Sequence, residues 1–389
     1  MTVTLVAPRI IRIGGGAVAE VAAVLASLGV SRPFVVTDPF MVSSGLAERL
    51  LAPLRAAGIA PVVFSDTVPD PTDTVVLAAL AALRATDADC LIGFGGGSPM
   101  DTAKAINILA AAPDGTPIAS FKAPAVADRG ALPLVCVPTT AGTGSEVTRF
   151  TVITDVARDE KMLIAGLGAL PMAAVVDHEL TMGLPARTTA DTGIDSLTHA
   201  LEAFVSRRAN IFSDDYARAA MRLIAPNLRR VFHHPADAAA REAMMAGATL
   251  AGLAFSNASV ALVHGMSRPI GAHFHVPHGL SNAMLLPAVT AFGLEAGRAR
   301  YADAARAMGV ATTADDDTSA GEKLLAELRA LNEELRVPTP AAYGIPADRW
   351  AALLPTMAAQ ALASGSPANN PAVPDAEAII GLYRQAYGN

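Results

Sequence analysis

With only two cysteines, Cys90 and Cys136, in 389 residues, the chain cannot carry a disulfide framework. Both lie in apolar runs (DCLIGF and PLVCV), where a small buried thiol is the ordinary role. Aromatic residues make up 5% of the chain, with one tryptophan, which leaves no stacking platform for nucleic-acid bases. Positive charge is short too: the net charge of −7 argues against nucleic acid or an anionic membrane as main partner. The 52% apolar fraction is spread so that charges or Pro/Gly breaks interrupt every stretch of 18 residues, and no transmembrane helix is expected. The start, MTVTLVAPRI, lacks the basic opening and apolar run of a secretory signal. A reducing, cytoplasmic setting is the expectation.

A chain of this length implies two domains. The first half alternates short β-rich runs with helical stretches. Strands are expected at 33–37, 61–65, 89–94, 133–137, 148–154, 161–165 and 173–177, with helices at 41–57, 73–85 and from about Asp101. That alternation predicts an α/β domain over residues 1–184, a parallel sheet with helices on both faces. After the GLPAR turn at 183–187 the periodicity turns helical, as in 213–230 and 236–255, and predicts an all-α domain over residues 185–389. The segment 363–374 (ASGSPANNPAVP) reads as a loop before a final helix.

Two loops in the first half have the chemistry of a phosphate cradle. In IGFGGGSPMDTAK a strand runs into Gly95, Gly96, Gly97 and Ser98 and a helix follows, so glycine backbone and helix-start N–H groups can approach an anion closely. Such a turn serves equally well as a ligand-free strand–helix connection. It is neither GxGxxG nor a P-loop. In PTTAGTGSEVT, Thr139, Thr140, Thr143 and Ser145 offer hydroxyls after an apolar strand. Asp38, at the end of PFVVT, could accept a ribose diol, but an Asp before Pro39 is more often a turn residue or helix cap.

The second half carries a metal pattern. In DTGIDSLTHALE, Asp195 and His199 are four residues apart and share one helix face. Downstream, VHGMSRPIGAHFHVPHG holds His264, His273, His275 and His278, half of the eight histidines within fifteen residues. Spacing does not choose among those four. His273 and His275 lie two apart, so in extended chain at most one faces a given point. One of them is expected near the substrate, relaying a proton to solvent; the alternative is that both line a wall without a chemical role.

Taken together, GGGSPMDTAK (95–104), PTTAGTGSEVT (138–148), TGIDSLTHALE (192–202) and the 264–287 block ending PHGLSNAMLLP resemble the iron-containing alcohol dehydrogenases, relatives of dehydroquinate synthase and glycerol dehydrogenase. The resemblance spans nearly the whole chain. It implies a dehydroquinate synthase-like fold, with residues 1–184 binding a dinucleotide and residues 185–389 binding metal and substrate. It implies metal ligation by Asp195, His199, His264 and His278, with Fe²⁺, or alternatively Zn²⁺ or another first-row ion, as a Lewis acid toward the alcohol oxygen. It implies NAD contacts from Asp38, Gly95, Gly96, Gly97, Ser98, Asp101, Thr139, Thr140, Thr143, Ser145 and Lys161, and a homodimer or larger assembly. The expected reaction is hydride transfer between NAD and a small primary or secondary alcohol–aldehyde pair.

One departure from the family pattern bears on substrate. Four residues after His264 the family usually carries a second histidine; here Arg268 stands, which can bind a carboxylate, phosphonate or sulfonate or else form a structural ion pair. The competing readings are a reductase or dehydrogenase of an anionic hydroxy or oxo acid, similar to maleylacetate reductase, and a lyase of the dehydroquinate synthase kind in which NAD is regenerated within one turnover.

Overall fold

The computed structural model describes residues 2–388 and divides into two compact units, Val6–Gly183 and residues 184–388 with residues 2–5. The first unit is built on β1 (Ile10–Ile13), α1 (Val21–Leu28), β2 (Pro33–Val36), α2 (Pro39–Ser43), α3 (Glu48–Ala56), β3 (Val62–Phe64), α4 (Asp73–Arg84), β4 (Cys90–Gly95), α5 (Gly97–Ala110), β5 (Leu134–Pro138), β6 (Phe150–Asp155), β7 (Glu160–Ala165) and β8 (Ala173–Val176). Six strands form one parallel sheet in the order β1-β8-β5-β4-β2-β3.

Strands β2, β4 and β5 are apolar on both faces because both are covered. Phe34, Val36, Leu91, Leu134 and Cys136 pack with α4 and α5 on one side. Val35, Cys90, Ile92, Val135 and Val137 pack with α1 and α3 on the other. Cys90 and Cys136 are therefore buried, free thiols, and burial pushes each up to about 12.

Three local expectations are corrected. The stretch 41–57 is not one helix: a turn over residues 44–47 separates α2 from α3. Helix α5 begins at Gly97, not Asp101, so Gly97 and Ser98 of the glycine-rich loop lie in its first turn. Strands β6 and β7 form a separate antiparallel hairpin, not part of the parallel sheet. The connection at 156–159 is far too short for the crossover that parallel neighbours need. Strand β1, four residues long and half exposed at the sheet edge, is not among the strands expected from the sequence.

The hairpin is tied to α5 by a buried polar knot. Lys104 is fully buried, and its Nζ donates to the carbonyl and Oγ of Ser145 (2.6 and 2.9 Å), the carbonyl and Oγ1 of Thr148 (3.0 and 3.1 Å) and the Phe150 carbonyl (2.8 Å). Asp101, one turn earlier, accepts from Ser145 Oγ (3.0 Å) and the Val152 N–H (3.0 Å). Burial lowers the Lys104 ammonium from its ordinary range, opposed by Asp101, and raises the Asp101 carboxyl to about 6 against the pull of Lys104.

The second unit is helical: α6 (Ala186–Val205), α7 (Ile211–His233), α8 (Ala238–Ala258), α9 (Leu262–Phe274), α10 (His278–Gly293), α11 (Arg298–Ala307), α12 (Asp317–Glu334), α13 (Pro340–Tyr343), α14 (Ala347–Ala363) and α15 (Ala376–Gly388). The expected 363–374 loop contains one 3₁₀ turn, Ser366–Asn369. No single helix among the described residues is long and apolar enough to cross a membrane; α8 and α9 pass that test only as a pair, bent by 104°.

Replacing Lys104 by Met should lower the stability of the α/β unit by about 3–5 kcal/mol, because five oxygens lose their donor and Asp101 loses its compensating cation. Urea unfolding followed by far-UV dichroism measures it. A midpoint unchanged within error would contradict the structural role of the knot.

Candidate metal centre and nucleotide loops

Helix α6 presents Asp195 and His199 from successive turns of one face; both are buried. Helix α9 contributes buried His264 from its first turn, and His278 is the first residue of α10. One ligand atom from each of the four lies within 4.8 Å of every other. Asp195 Oδ1 is 3.8 Å from His199 Nε2, 3.5 Å from His264 Nε2 and 3.9 Å from His278 Nε2. Ligand atoms about 2.0–2.2 Å from a common tetrahedral centre would stand ~3.3–3.6 Å apart; the Asp195–His264 distance of 3.5 Å matches, and the wider pairs would have to draw in to hold a first-row divalent ion.

The approach of α10 to α6 depends on glycine. A Cβ on Gly279 would sit 2.4 Å from the Asp191 carbonyl oxygen and 3.3 Å from Asp195 Cβ. Aromatic packing then fixes the rings: His199 stacks on Phe255 (centroids 4.3 Å apart) and on His264 (4.5 Å).

Glu202 sets the state of His264. Its carboxylate accepts from the Ala261 and Val263 N–H groups (3.0 and 2.6 Å) and lies 2.6 Å from His264 Nδ1. A carboxylate there holds the proton on Nδ1 and leaves the Nε2 lone pair for a metal. Burial alone would lower the His264 imidazole, but bonds to Asp195 and Glu202 outweigh it and raise it. For Asp195, burial works upward, and the three neighbouring imidazoles, His199, His278 and His264, hold it well below the usual carboxylate range.

The buried Asn282 amide nitrogen donates to Asp195 Oδ1 (2.7 Å) and lies 3.1 Å from His264 Nε2 and 3.3 Å from His278 Nε2. An NH₂ group carries two N–H donors, one of them used on Asp195, so it can serve at most one of the two ring nitrogens at a time. One carboxylate and three imidazoles converging on one place fit a divalent cation such as Fe²⁺ or Zn²⁺.

His273 and His275 are not in this cluster. Helix α9 ends at Phe274, His275 takes a left-handed conformation (φ 54) and is exposed, and His273 Nε2 meets Gln360 Oε1 at 2.9 Å. Arg268 is buried and donates to Ser366 Oγ at 2.9 Å. The sequence reading assigned no role to Glu202, Asn282 or Lys104. Glu202 lies seven residues after Asp195 on the same α6 face and Asn282 four after His278, and those spacings are the available signals.

In the α/β unit, Gly95 ends β4 with φ 144, a conformation that favours glycine, and a Cβ there would meet Pro99 at 2.6 Å. The Thr139 N–H donates to the Gly95 carbonyl (2.9 Å), which sets the second loop beside the first. Gly97 and Ser98 open α5 behind the cap residue Gly96. The buried Thr139 hydroxyl has no partner among the described residues, and Thr143 Oγ1 accepts from the Ser145 N–H (3.2 Å). Thr140 flanks Gly96.

Asp38 caps α2, accepting from the Met41 N–H (2.9 Å), so the helix-cap reading is realised. Lys161 pairs with Asp70 (2.7 Å), and both Asp101 oxygens accept bonds within the polar knot. Glycine backbone at the N-terminus of a fourteen-residue helix, beside an unsatisfied buried hydroxyl, fits the diphosphate of a dinucleotide.

A doubly wound sheet with this loop pair, in a chain with a buried carboxylate–imidazole centre, defines a metal-dependent dehydrogenase class. Residues 8–178 match the family model described as iron-containing alcohol dehydrogenase, and residues 189–387 match its C-terminal counterpart. The chain belongs to the iron-containing alcohol dehydrogenase family and is a metal-dependent oxidoreductase of that type. It is 37% identical to the probable alcohol dehydrogenase EutG of Escherichia coli K12 over 98% of this chain and 94% of that one. It is 37% identical to the NAD-dependent methanol dehydrogenase of Bacillus methanolicus over 84% and 85% of the two chains. A crystal structure of 1,3-propanediol oxidoreductase superposes with a TM-score of 0.93 at 34% identity, covering 100% of both chains.

Replacing Glu202 by Gln should weaken metal affinity about 10- to 100-fold, measured by competition with a chromophoric chelator. Because metal must displace a proton from His264, wild-type affinity should fall as pH drops. In Glu202→Gln the raised His264 value should relax downward, so the fall should begin at lower pH. Unchanged affinity and pH dependence would show that Glu202 does not act through His264.

Proposed function

We propose that the chain transfers a hydride between NAD and a small primary or secondary alcohol–aldehyde pair, with one divalent cation, Fe²⁺ or a related first-row ion, held by Asp195, His199, His264 and His278. The observation that carries the reading is the convergence of these four side chains, with ligand atoms within 4.8 Å of one another. The methanol dehydrogenase relative, named for its NAD dependence, supports the cofactor. When bound, the cation supplies Lewis acidity toward the substrate oxygen and NAD supplies the hydride acceptor. In oxidation the C–H bond at the carbinol carbon breaks with its electron pair leaving as hydride, and the hydroxyl proton goes to solvent. Alcohol and NAD⁺ thus give aldehyde, NADH and one proton.

The chain's own residues prepare this reaction. Glu202 keeps His264 in the ligating tautomer, and Asn282 orients the Asp195 carboxylate. Residues 95–98 and the hydroxyls of Thr139, Thr140 and Thr143 hold the cofactor diphosphate, and Ser145, whose hydroxyl is committed to Asp101 and Lys104, positions that loop. Asp38 has one oxygen committed to its cap and offers the other to the ribose. Asp101 acts here as the positioning residue of the second loop, and Lys161 contributes near the ribose from its pair with Asp70. Residues 1–184 thereby serve as the dinucleotide-binding domain and residues 185–389 as the metal and substrate domain. The protein works as a homodimer or larger homo-oligomer in the cytoplasm. One of His273 and His275, the latter exposed just beyond α9, relays the hydroxyl proton to solvent.

Chelation should abolish NADH production, and Fe²⁺ or Zn²⁺ should restore it. His264→Ala should lose stoichiometric metal and at least about 10³-fold in kcat/KM. Full activity in His264→Ala would overturn the assignment. NADH should accumulate steadily with excess alcohol; its absence would favour the internally recycling lyase reading. For His273→Gln and His275→Gln, an unchanged pH–rate profile in both would remove the proton relay.

A further inference from the structure

Arg268 lies one turn after the ligand His264 on α9, so the two side chains leave the same helix face. It is 9% exposed, and no carboxylate among the described residues lies within ion-pair distance of it. Its single hydrogen bond goes to a neutral hydroxyl, Ser366 Oγ at 2.9 Å. A guanidinium carries five N–H donors, so four have no partner among the described residues. Nε and Nη2 are not among the polar atoms sealed away unpaired, which means that solvent still reaches them.

Glu202, the carboxylate that holds His264 Nδ1, is the one acidic group that acts on Arg268, and it does so from beyond ion-pair range. Burial accordingly lowers the guanidinium to about 10, with only partial compensation. A structural arginine this deep is normally paired, because an uncompensated buried charge is expensive. The ordinary structural explanation, an internal ion pair, is absent among the described residues.

We infer that Arg268, assisted by Ser366, is the specificity-determining residue of the substrate site and binds an anionic group (carboxylate, sulfonate or phosphonate) on a short hydroxy or oxo acid. The inference rests on the dehydrogenase reading above and narrows its substrate class. A planar guanidinium with adjacent free N–H groups matches a bidentate oxyanion, and such charge-assisted bonds are the strong ones. One helical turn of ~5.4 Å between the ligand histidine and the arginine sets the scale, so the anionic group stands a few bonds from the carbon that bears the hydroxyl.

The test uses the metal-loaded holoenzyme and two substrates of similar length, 3-hydroxypropanoate and 1,3-propanediol. Wild type should prefer the acid in kcat/KM. In Arg268→Gln the loss on the acid should exceed the loss on the diol by about 100-fold, and Arg268→Lys should fall between, since it keeps charge without the planar fork. Calorimetric titration of wild type with 3-hydroxypropanoate, without cofactor, should show binding that Arg268→Gln loses. This readout requires no turnover. Equal losses on both substrates, or no binding of the acid to wild type, would overturn the inference. An effect confined to KM for NAD would assign the anion to the cofactor diphosphate and overturn it too. If neither substrate yields NADH while the acid still binds through Arg268, the dehydrogenase reading fails and the anion site stands.

Discussion

The hydrogen bond between Glu202 and His264 Nδ1 decides what the helical unit can hold. A neutral imidazole has one lone pair, and the carboxylate on Nδ1 directs it to Nε2, the nitrogen 3.5 Å from Asp195. Three things must hold for that bond to matter. The chain must cross from α8 to α9 so that the Ala261 and Val263 N–H groups meet the same carboxylate. His199 must be kept stacked against Phe255 and His264. And α10 must come within glycine distance of α6 at Gly279. The four candidate ligands are thus brought together by helix packing, each on a helix rather than a loop, which suits a cation site.

The α/β unit solves a different problem by related means. Its glycine-rich and hydroxyl-rich loops follow neighbouring parallel strands, β4 and β5, and are joined at their bases by the Thr139–Gly95 backbone bond. Lys104 and Asp101 add a second tether. Both sit in the first turns of α5, the helix proposed to meet the cofactor phosphate, and both grip the segment from Ser145 to Val152. A buried cation surrounded by oxygens is costly to desolvate, but it fixes the loop in one place. Residues that resemble cofactor contacts in sequence thus divide into those free to meet a ligand, such as Thr139, and those committed to internal bonds, such as Asp101 and Ser145.

Much of this was legible in the residues. The Asp195–His199 pair follows from helical spacing alone, and the change from alternating to helical periodicity near 183–187 was visible. Spacing could not choose among four histidines. Where α9 ends decides the matter, because His275 turns outward in a left-handed conformation, His273 meets Gln360, and His278 restarts a helix beside Asp195. Glu202 and Asn282 lay in plain sight at helical intervals from the ligands, yet a carboxylate or amide on a helix is ordinarily solvated, and only burial reveals otherwise. The antiparallel hairpin was hidden for a different reason: apolar strand patterns carry no direction, and the short 156–159 connection was the feature to weigh. Arg268 stands out in the sequence by its place after His264, but that no carboxylate among the described residues pairs with it is a fact of three dimensions.

The central claim is a single cation held by one carboxylate oxygen and three imidazoles. X-ray absorption at the metal edge of stoichiometrically loaded protein tests it most directly. The account predicts one ion per chain, a first shell of about three nitrogens with imidazole scattering and at least one oxygen, and the loss of one imidazole in His278→Ala. An all-oxygen shell, or active protein without a stoichiometric ion, would contradict it.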